Sequence, residues 1–219
     1  DTCFKSLRAA GKKALVTFTM AGDPDEQTSL NILHSLAQKA DILEVGMPFT
    51  DPMADGPVIQ AAGLRALANG TTLKSTLFIV QQFRSKNKDT PIVLMGYFNP
   101  VLQYGVDKFI NDCKEIGVDG LIIVDVPPEE ADEIAPKAQQ KGISFIRLLT
   151  PTTDQSRLDK ILGVASGFLY YVSVAGITGT ASGDPKVVGA HITSIKKKTS
   201  LPIVASFGIK TPQDGKAMA

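Results

Sequence analysis

A glutamate lies inside an otherwise apolar run near the start of the chain. Glu44 is flanked by Leu43 and Val45 in "DILEVGMPFTDPMADGP", which spans residues 41–57. Burying an ionised carboxylate in a strand costs on the order of several kcal/mol of folding free energy unless the group is paired, hydrated or neutralised. The neighbouring segments contain no obvious basic partner, so we interpret Glu44 as a functional residue rather than half of a structural ion pair.

A second carboxyl, Asp55, follows Glu44 on a loop bounded by prolines. A carboxyl in an apolar pocket has a raised pKa and can exchange protons near neutral pH, whereas a more hydrated carboxyl stays ionised. Glu44 and Asp55 therefore can divide the two roles of acid–base chemistry. A covalent mechanism is not indicated, since no lysine lies inside a predicted strand and no nucleophile elbow is present.

The elements that must position these carboxyls form a repeating pattern of short apolar runs and longer amphipathic segments. The residue types favour seven strands, at 14–20, 41–46, 91–97, 120–126, 144–149, 168–174 and 201–207. Helical patterns lie between them, including 25–40 and 129–142, and Pro136 is expected to kink or shorten the latter. Alternating strands and helices predict a parallel sheet.

Two architectures fit this alternation, an open doubly wound sheet and a closed (β/α)8 barrel. We favour the (β/α)8 TIM barrel because the unit repeats at similar spacing, no GxGxxG follows the first strand, and polar residues cluster after nearly every strand. Seven strands are one short of eight. We therefore expect residues 1–219 to form a single barrel domain that is incomplete at its C-terminal end, with the final βα unit absent.

Polar and aromatic residues collect at the predicted carboxyl ends of the strands, where the active sites of barrels lie. Tyr97 and Tyr170 are candidates there, although each is equally compatible with an ordinary core position. Asp125 precedes "VPP" and is compatible with a loop brace. The glycine-rich turns that contain Gly179 and Gly208 are suited to backbone contacts with a phosphate.

Composition excludes several classes of function. The net charge of +1 argues against a nucleic-acid interface. The two cysteines and two histidines form no metal-binding spacing. No run approaches the length of a membrane span and no signal-peptide pattern opens the chain. We therefore expect a soluble, cytoplasmic protein without a metal.

Several motifs together resemble one family. "LEVGMPFTDPMADGPVIQ" closely resembles a signature of the tryptophan synthase α subunit, and "FTMAGDP", "LMGYFNPVLQYG", "IIVDVPPEE", "YYVSVAGITGT" and "FGIKTP" follow in the family's order. The resemblance implies a barrel lyase that cleaves indole-3-glycerol phosphate to indole and glyceraldehyde 3-phosphate by a retro-aldol reaction.

The resemblance also implies roles for individual residues. Glu44 matches the general acid/base, Asp55 the carboxylate that binds the indole N–H, and Tyr170 a tyrosine near the reacting centre. The implied substrate-binding residues comprise an indole pocket, a closing loop residue and the phosphate loops: Phe18, Met95, Tyr97, Ile122, Val124, Leu148, Thr178, Gly179, Phe207 and Gly208.

Members of the family work with a β subunit in an α2β2 complex. The β subunit carries pyridoxal phosphate and receives indole through a tunnel. The resemblance implies that this chain binds no cofactor itself, and it places Asp51 and Asn99 on loops that face the partner. Three alternatives stay open. The first is a related barrel such as indole-glycerol-phosphate synthase, which the lack of a strand lysine disfavours. The second is a standalone indole-releasing lyase, and the third is a catalytically silent activator of the β subunit.

Overall fold

A computed structural model of the chain describes residues 2–172, 185–206 and 211–218. The chain divides into two compact units, unit 1 (Asp1–Phe145) and unit 2 (Ile146–Ala219). Each unit is built on a parallel sheet whose strands are separated by helices.

Unit 1 contains five strands that pair in the order in which they occur along the chain, each parallel to the next. They are β1 (Val16–Met20), β2 (Ile42–Gly46), β3 (Ile92–Gly96), β4 (Gly120–Ile123) and β5 (Ser144–Phe145). A doubly wound sheet reverses its strand order at a switch point. Because unit 1 shows no such reversal, its sequential order is the one expected for the winding of a barrel.

The helices of unit 1 include two whose first turns are capped by side chains. They are α1 (Thr2–Ala9), α2 (Glu26–Leu36), α3 (Pro57–Ala68), α4 (Leu73–Lys86), α5 (Phe98–Tyr104), α6 (Val106–Ile116), a 3-10 helix (Pro128–Glu133) and α7 (Ala135–Gln140). The Asp25 carboxylate caps α2 by accepting a hydrogen bond from the Thr28 N–H at 2.8 Å. Thr72 and Ser75 form a capping box at the start of α4.

Unit 2 contains three parallel strands and three helices. They are β6 (Arg147–Leu149), β7 (Leu169–Val172), β8 (Ile203–Ser206), α8 (Gln155–Val164), α9 (Pro185–Lys196) and α10 (Pro212–Met218). A buried apolar cluster from strands and helices forms its core: Leu149, Leu158, Ile161, Leu169, Tyr171 and Val188. No helix in the described part of the chain combines the length and apolar character needed to cross a bilayer.

All seven predicted strands are present, but the fifth was wrong in one respect. Residues 144–149 form two strands rather than one, because Ser144 and Phe145 pair with β4 whereas residues 147–149 pair with β7. The helix predicted over 129–142 is also divided, as expected from Pro136. Since proline lacks an N–H, it is tolerated in the first turn of α7 and not in a helix interior.

Candidate active site

Glu44 belongs to unit 1 and is almost completely buried. It is the third residue of β2, all five residues of which are buried, and its relative exposure is 1%. In the parallel register it lies opposite Phe18 of β1 and Val93 of β3. Because paired residues of adjacent strands project from the same face of a sheet, an aromatic and an aliphatic side chain flank the Glu44 carboxyl.

The same face of the sheet carries most of the predicted indole pocket. One layer further along the strands, Gly46 lies opposite Met95, and Met95 lies opposite Ile122. Tyr97 and Val124 occupy the next alternating positions, immediately after β3 and β4. The structure thus brings together the following six predicted residues: Phe18, Glu44, Met95, Tyr97, Ile122 and Val124.

Gly46 makes room for the ring of Phe18. A Cβ atom added to Gly46 would lie 2.6 Å from Phe18 Cζ and 3.0 Å from Met20 Sδ. The approach to Phe18 is shorter than two carbon atoms tolerate, so any larger residue here would displace the ring. The absence of a side chain at Gly46 therefore lets Phe18 form an apolar wall beside Glu44.

Asp55 lies on the loop between β2 and α3. Its N–H donates to the Pro52 carbonyl at 3.0 Å, and its carbonyl accepts from the Gln60 side-chain amide at 2.8 Å. The carboxyl is half-buried, so it is more hydrated than Glu44, as the sequence predicted. Burial nevertheless raises the pKa of Asp55, and an opposing hydrogen-bonding interaction with the Tyr97 hydroxyl lowers it.

Tyr97 connects the end of β3 to this loop. Its side chain is 3% exposed, and its ring packs against Phe49 with the centroids 5.4 Å apart. The hydroxyl accepts a hydrogen bond from the Ala54 N–H at 3.0 Å. Burial raises the pKa of Tyr97 strongly, and the nearby carboxylates of Asp55 and Asp125 add to this. The sequence identified Tyr97 as a pocket residue but contained no signal for its contact with the loop.

Asp125 acts as a brace, which is the alternative that the sequence left open for it. Its carboxylate accepts a hydrogen bond from the Phe98 N–H at 2.9 Å, at the first residue of α5. The interaction satisfies an amide that has no partner within the helix. Asp51 and Asn99, which the resemblance placed on partner-facing loops, are both exposed.

The remaining predicted residues that the structure describes lie in unit 2. Tyr170 of β7 is 7% exposed and lies opposite Leu148 of β6, so the two side chains share one face of the three-stranded sheet. The adjacent Tyr171 projects from the other face into the core of unit 2. Thr178, Gly179, Phe207 and Gly208, which include both predicted phosphate loops, lie outside the described residues.

The geometry of unit 1 is suited to proton transfer near an apolar ring. Glu44 is a buried carboxyl beside an aromatic wall, and Asp55 is a half-buried carboxyl on the loop that follows the same strand. Such environments tune carboxyls for acid–base work and for stabilising a developing positive charge. Among the described residues, no group of three or more His, Cys, Asp or Glu side chains is arranged to hold a metal ion.

Comparison with known proteins identifies the family. The sequence profile of the tryptophan synthase alpha chain matches residues 4–219. The chain belongs to the tryptophan synthase alpha chain family. It is thus an enzyme of tryptophan biosynthesis, with the carbon–carbon lyase activity that the resemblance implied.

Solved structures of tryptophan synthase alpha chains agree with this assignment. The alpha subunit from Legionella pneumophila str. Paris is 42% identical, with a TM-score of 0.92 over 99% of this chain and 80% of that one. A structure of the tryptophan synthase a2b2 complex from Pyrococcus furiosus matches with 38% identity and a TM-score of 0.85, over 94% of this chain and 83% of that one. These similarities confirm the predicted fold class, an α/β fold of the (β/α)8 barrel type.

Proposed function

We propose that Glu44 and Asp55 carry out the retro-aldol cleavage of indole-3-glycerol phosphate to indole and glyceraldehyde 3-phosphate. The observation that supports this most directly is the position of Glu44, which is 1% exposed on the face of the sheet that also carries Phe18 and Met95. A flat apolar substrate ring is a suitable neighbour for that face.

Glu44 serves first as a general acid. Its protonated carboxyl donates a proton to C3 of the indole ring, which converts the ring into an electron sink. The resulting carboxylate then accepts the proton of the hydroxyl on the adjacent side-chain carbon. The bond between indole C3 and that carbon breaks, its electron pair restores the indole ring, and the hydroxyl carbon becomes the aldehyde. Glu44 ends the cycle protonated, so the protons balance.

Asp55 stabilises the protonated ring. Protonation at C3 places positive charge on the indole nitrogen, and a carboxylate that accepts a hydrogen bond from that N–H lowers the energy of the charged state. The raised pKa of Asp55 reflects the cost of holding its charge in a half-buried position. A cationic intermediate beside it would offset that cost in the transition state.

The other proposed site residues bind and enclose the substrate. We propose that Phe18, Met95, Ile122 and Val124 contact the indole ring. For Leu148 and Tyr170 we propose the substrate-binding and catalytic roles that the resemblance implies. For Thr178 and Phe207, which lie outside the described residues, we propose the substrate-binding roles that the resemblance implies. Gly179 and Gly208 hold the phosphate through backbone N–H groups.

The chain also acts with a partner. We propose that it assembles with a tryptophan synthase β subunit into an α2β2 complex of the kind solved for the Pyrococcus furiosus protein, and that indole passes to that subunit. Exposed Asp51 and Asn99 contribute to the contact surface. We further propose that the chain forms a single barrel domain and acts in the cytoplasm, in keeping with its free cysteines Cys3 and Cys113.

The decisive experiment measures indole release from indole-3-glycerol phosphate by the purified chain, alone and with a β subunit. Glu44→Gln keeps the size and buried position of the side chain but removes its proton chemistry. We expect a loss of at least about 100-fold in kcat, with the association with the β subunit retained. Substantial indole release by this variant would exclude the role of Glu44.

The same experiment separates the open alternatives. A standalone lyase would release indole at a rate that the β subunit leaves unchanged. A silent activator would raise β-subunit activity without releasing indole. The proposed function requires both indole release and a rise in its rate when the β subunit is added.

A further inference from the structure

The loop between β2 and α3 carries the proposed catalytic carboxyl of Asp55, and a hydrogen bond to Tyr97 connects this loop to the end of β3. The Ala54 N–H donates to the Tyr97 hydroxyl at 3.0 Å, and Ala54 is the residue directly before Asp55. Residues 54 and 97 are 43 positions apart, so the contact joins the loop to the end of a different strand. The Tyr97 ring is buried and packs against Phe49, which sits at the start of the same loop.

We propose that Tyr97 is a positioning residue for Asp55, whose hydroxyl anchors the loop through Ala54 and directs its own proton toward the Asp55 carboxylate. This inference rests on the proposed role of Asp55 in the lyase reaction. It assigns to the hydroxyl a task separate from that of the ring, which lines the pocket.

The hydrogen-bonding capacity of a phenol explains the arrangement. A tyrosine hydroxyl has a single proton and accepts through its oxygen lone pairs. Because the Ala54 N–H occupies the oxygen as a donor, the hydroxyl proton is left to point at another acceptor. Asp55 is the neighbouring carboxylate, and its interaction with Tyr97 favours its ionised form. The two contacts act at consecutive residues, so together they limit both the position and the orientation of Asp55.

The rigidity of the anchor comes from packing. Tyr97 is 3% exposed and immediately follows β3, so its ring has little freedom to move. Asp125, which braces the first amide of α5, fixes the backbone on the other side of Tyr97. A hydroxyl held in this way can orient a loop carboxyl before the substrate arrives, which is how preorganised sites gain rate.

Tyr97→Phe tests the proposal because it removes the hydroxyl and keeps the ring against Phe49. We expect kcat for indole formation to fall about 10-fold to 100-fold while KM changes by less than about threefold. The acid limb of the kcat profile should move to higher pH, because the hydroxyl no longer lowers the pKa of Asp55. Amide hydrogen exchange at Ala54 should become faster.

Tyr104→Phe is the matched control. The Tyr104 hydroxyl also contacts a carboxylate, that of Asp112 at 2.6 Å, but Asp112 belongs to α6 and not to the proposed site. This variant should retain the wild-type kcat, acid limb and exchange rate at Ala54. A change of the same size in both tyrosine variants would overturn the assignment.

A double-mutant cycle shows whether Tyr97 acts through Asp55. In the Asp55→Asn background, the further change Tyr97→Phe should lower kcat by less than about twofold, since the group that it positions is already neutral. Additive losses, or a wild-type acid limb in Tyr97→Phe, would overturn the proposal.

Failure of the proposed function has a different signature. It would appear as wild-type protein that forms no indole with or without the β subunit. Exchange at Ala54 would still report on the anchor in that case, and unchanged exchange in Tyr97→Phe would overturn it.

Discussion

Acidic side chains lie before and after both β2 and β4. Comparing their hydrogen-bond partners at the two ends of the strands distinguishes carboxylates that stabilise the fold from the one proposed to act in catalysis. Before the strands, the Asp41 carboxylate accepts from the Leu15 N–H at 2.8 Å, and the Asp119 carboxylate accepts from the Ile92 N–H at 2.8 Å and from Arg84 at 2.7 Å. After the strands, the Asp125 carboxylate likewise accepts from an amide. On the other loop the residue before Asp55, Ala54, donates to the Tyr97 hydroxyl, and the interaction of that hydroxyl with Asp55 lowers the Asp55 pKa.

The difference lies in what each carboxylate stabilises. A carboxylate that accepts hydrogen bonds from backbone N–H groups stabilises the folded chain, because its charge is balanced by those donors. Asp55 is instead raised in pKa by burial, so its ionisation costs the folded state free energy. A free-energy cost of this kind is typical of an ionised group that binds a ligand rather than the protein's own backbone. The amino ends of parallel strands in a barrel are generally associated with stability and the carboxyl ends with activity. Asp41, Asp119 and Asp55 follow that division, whereas Asp125 is a brace at a carboxyl end.

The largest expected effect that would test this comparison is that of Asp55→Asn on activity. Loss of the charge that binds the indole N–H should lower kcat/KM for indole formation by about 100-fold or more. Steady-state assays of indole release measure this directly. Turnover close to the wild-type rate would remove Asp55 from the mechanism.

The same variant should not lose stability at neutral pH. Because burial raises the pKa of Asp55 in the folded state, its ionised form is penalised above the folded pKa, and that penalty disappears as the pH falls below the unfolded value near 3.8. Asp55→Asn should therefore have an equal or higher free energy of unfolding at pH 7, with the difference shrinking toward pH 4. Urea titrations across this range provide the measurement, and a clear loss of stability would show that the carboxylate supports the fold.

Asp119→Asn should show the opposite behaviour. The substitution removes the charge opposite Arg84 and weakens the bond to the buried Ile92 amide, so we expect the free energy of unfolding to fall by about 1–2 kcal/mol. Activity per folded molecule should be unchanged. A drop in kcat without a change in stability would contradict the division between the two ends of the sheet.

Asp41→Asn should have the smallest effect. The Asp41 carboxylate binds the Leu15 N–H in an exposed position, and an asparagine oxygen can still accept that bond. We expect a loss of about 0.5–1 kcal/mol in the free energy of unfolding and wild-type kinetics. A loss as large as that of Asp119→Asn would mean that the Leu15 contact is more important than its exposure indicates.

Much of the fold and part of the site could be predicted because they depend on local patterns. The residue types in runs such as "DILEVG" and "PIVLMGY" predict strands without knowledge of which strands they pair with. Once the register is known, the alternation of side chains puts Glu44, Met95 and Ile122 on one face of the sheet. The division of the fifth strand could not be predicted, since it depends on which strand each half pairs with.

The sequence by itself determined the alternation of strands and helices, the carboxyl inside β2 and the family, because each is encoded in residue types over short distances. Only the tertiary structure decided which acids are braces and which are available for chemistry. Asp125 and Asp55 look alike in a sequence, but one lies beside a helix amide and the other beside Tyr97. These partners are 27 and 42 residues away, and only the packing of β3 between its neighbours brings them together.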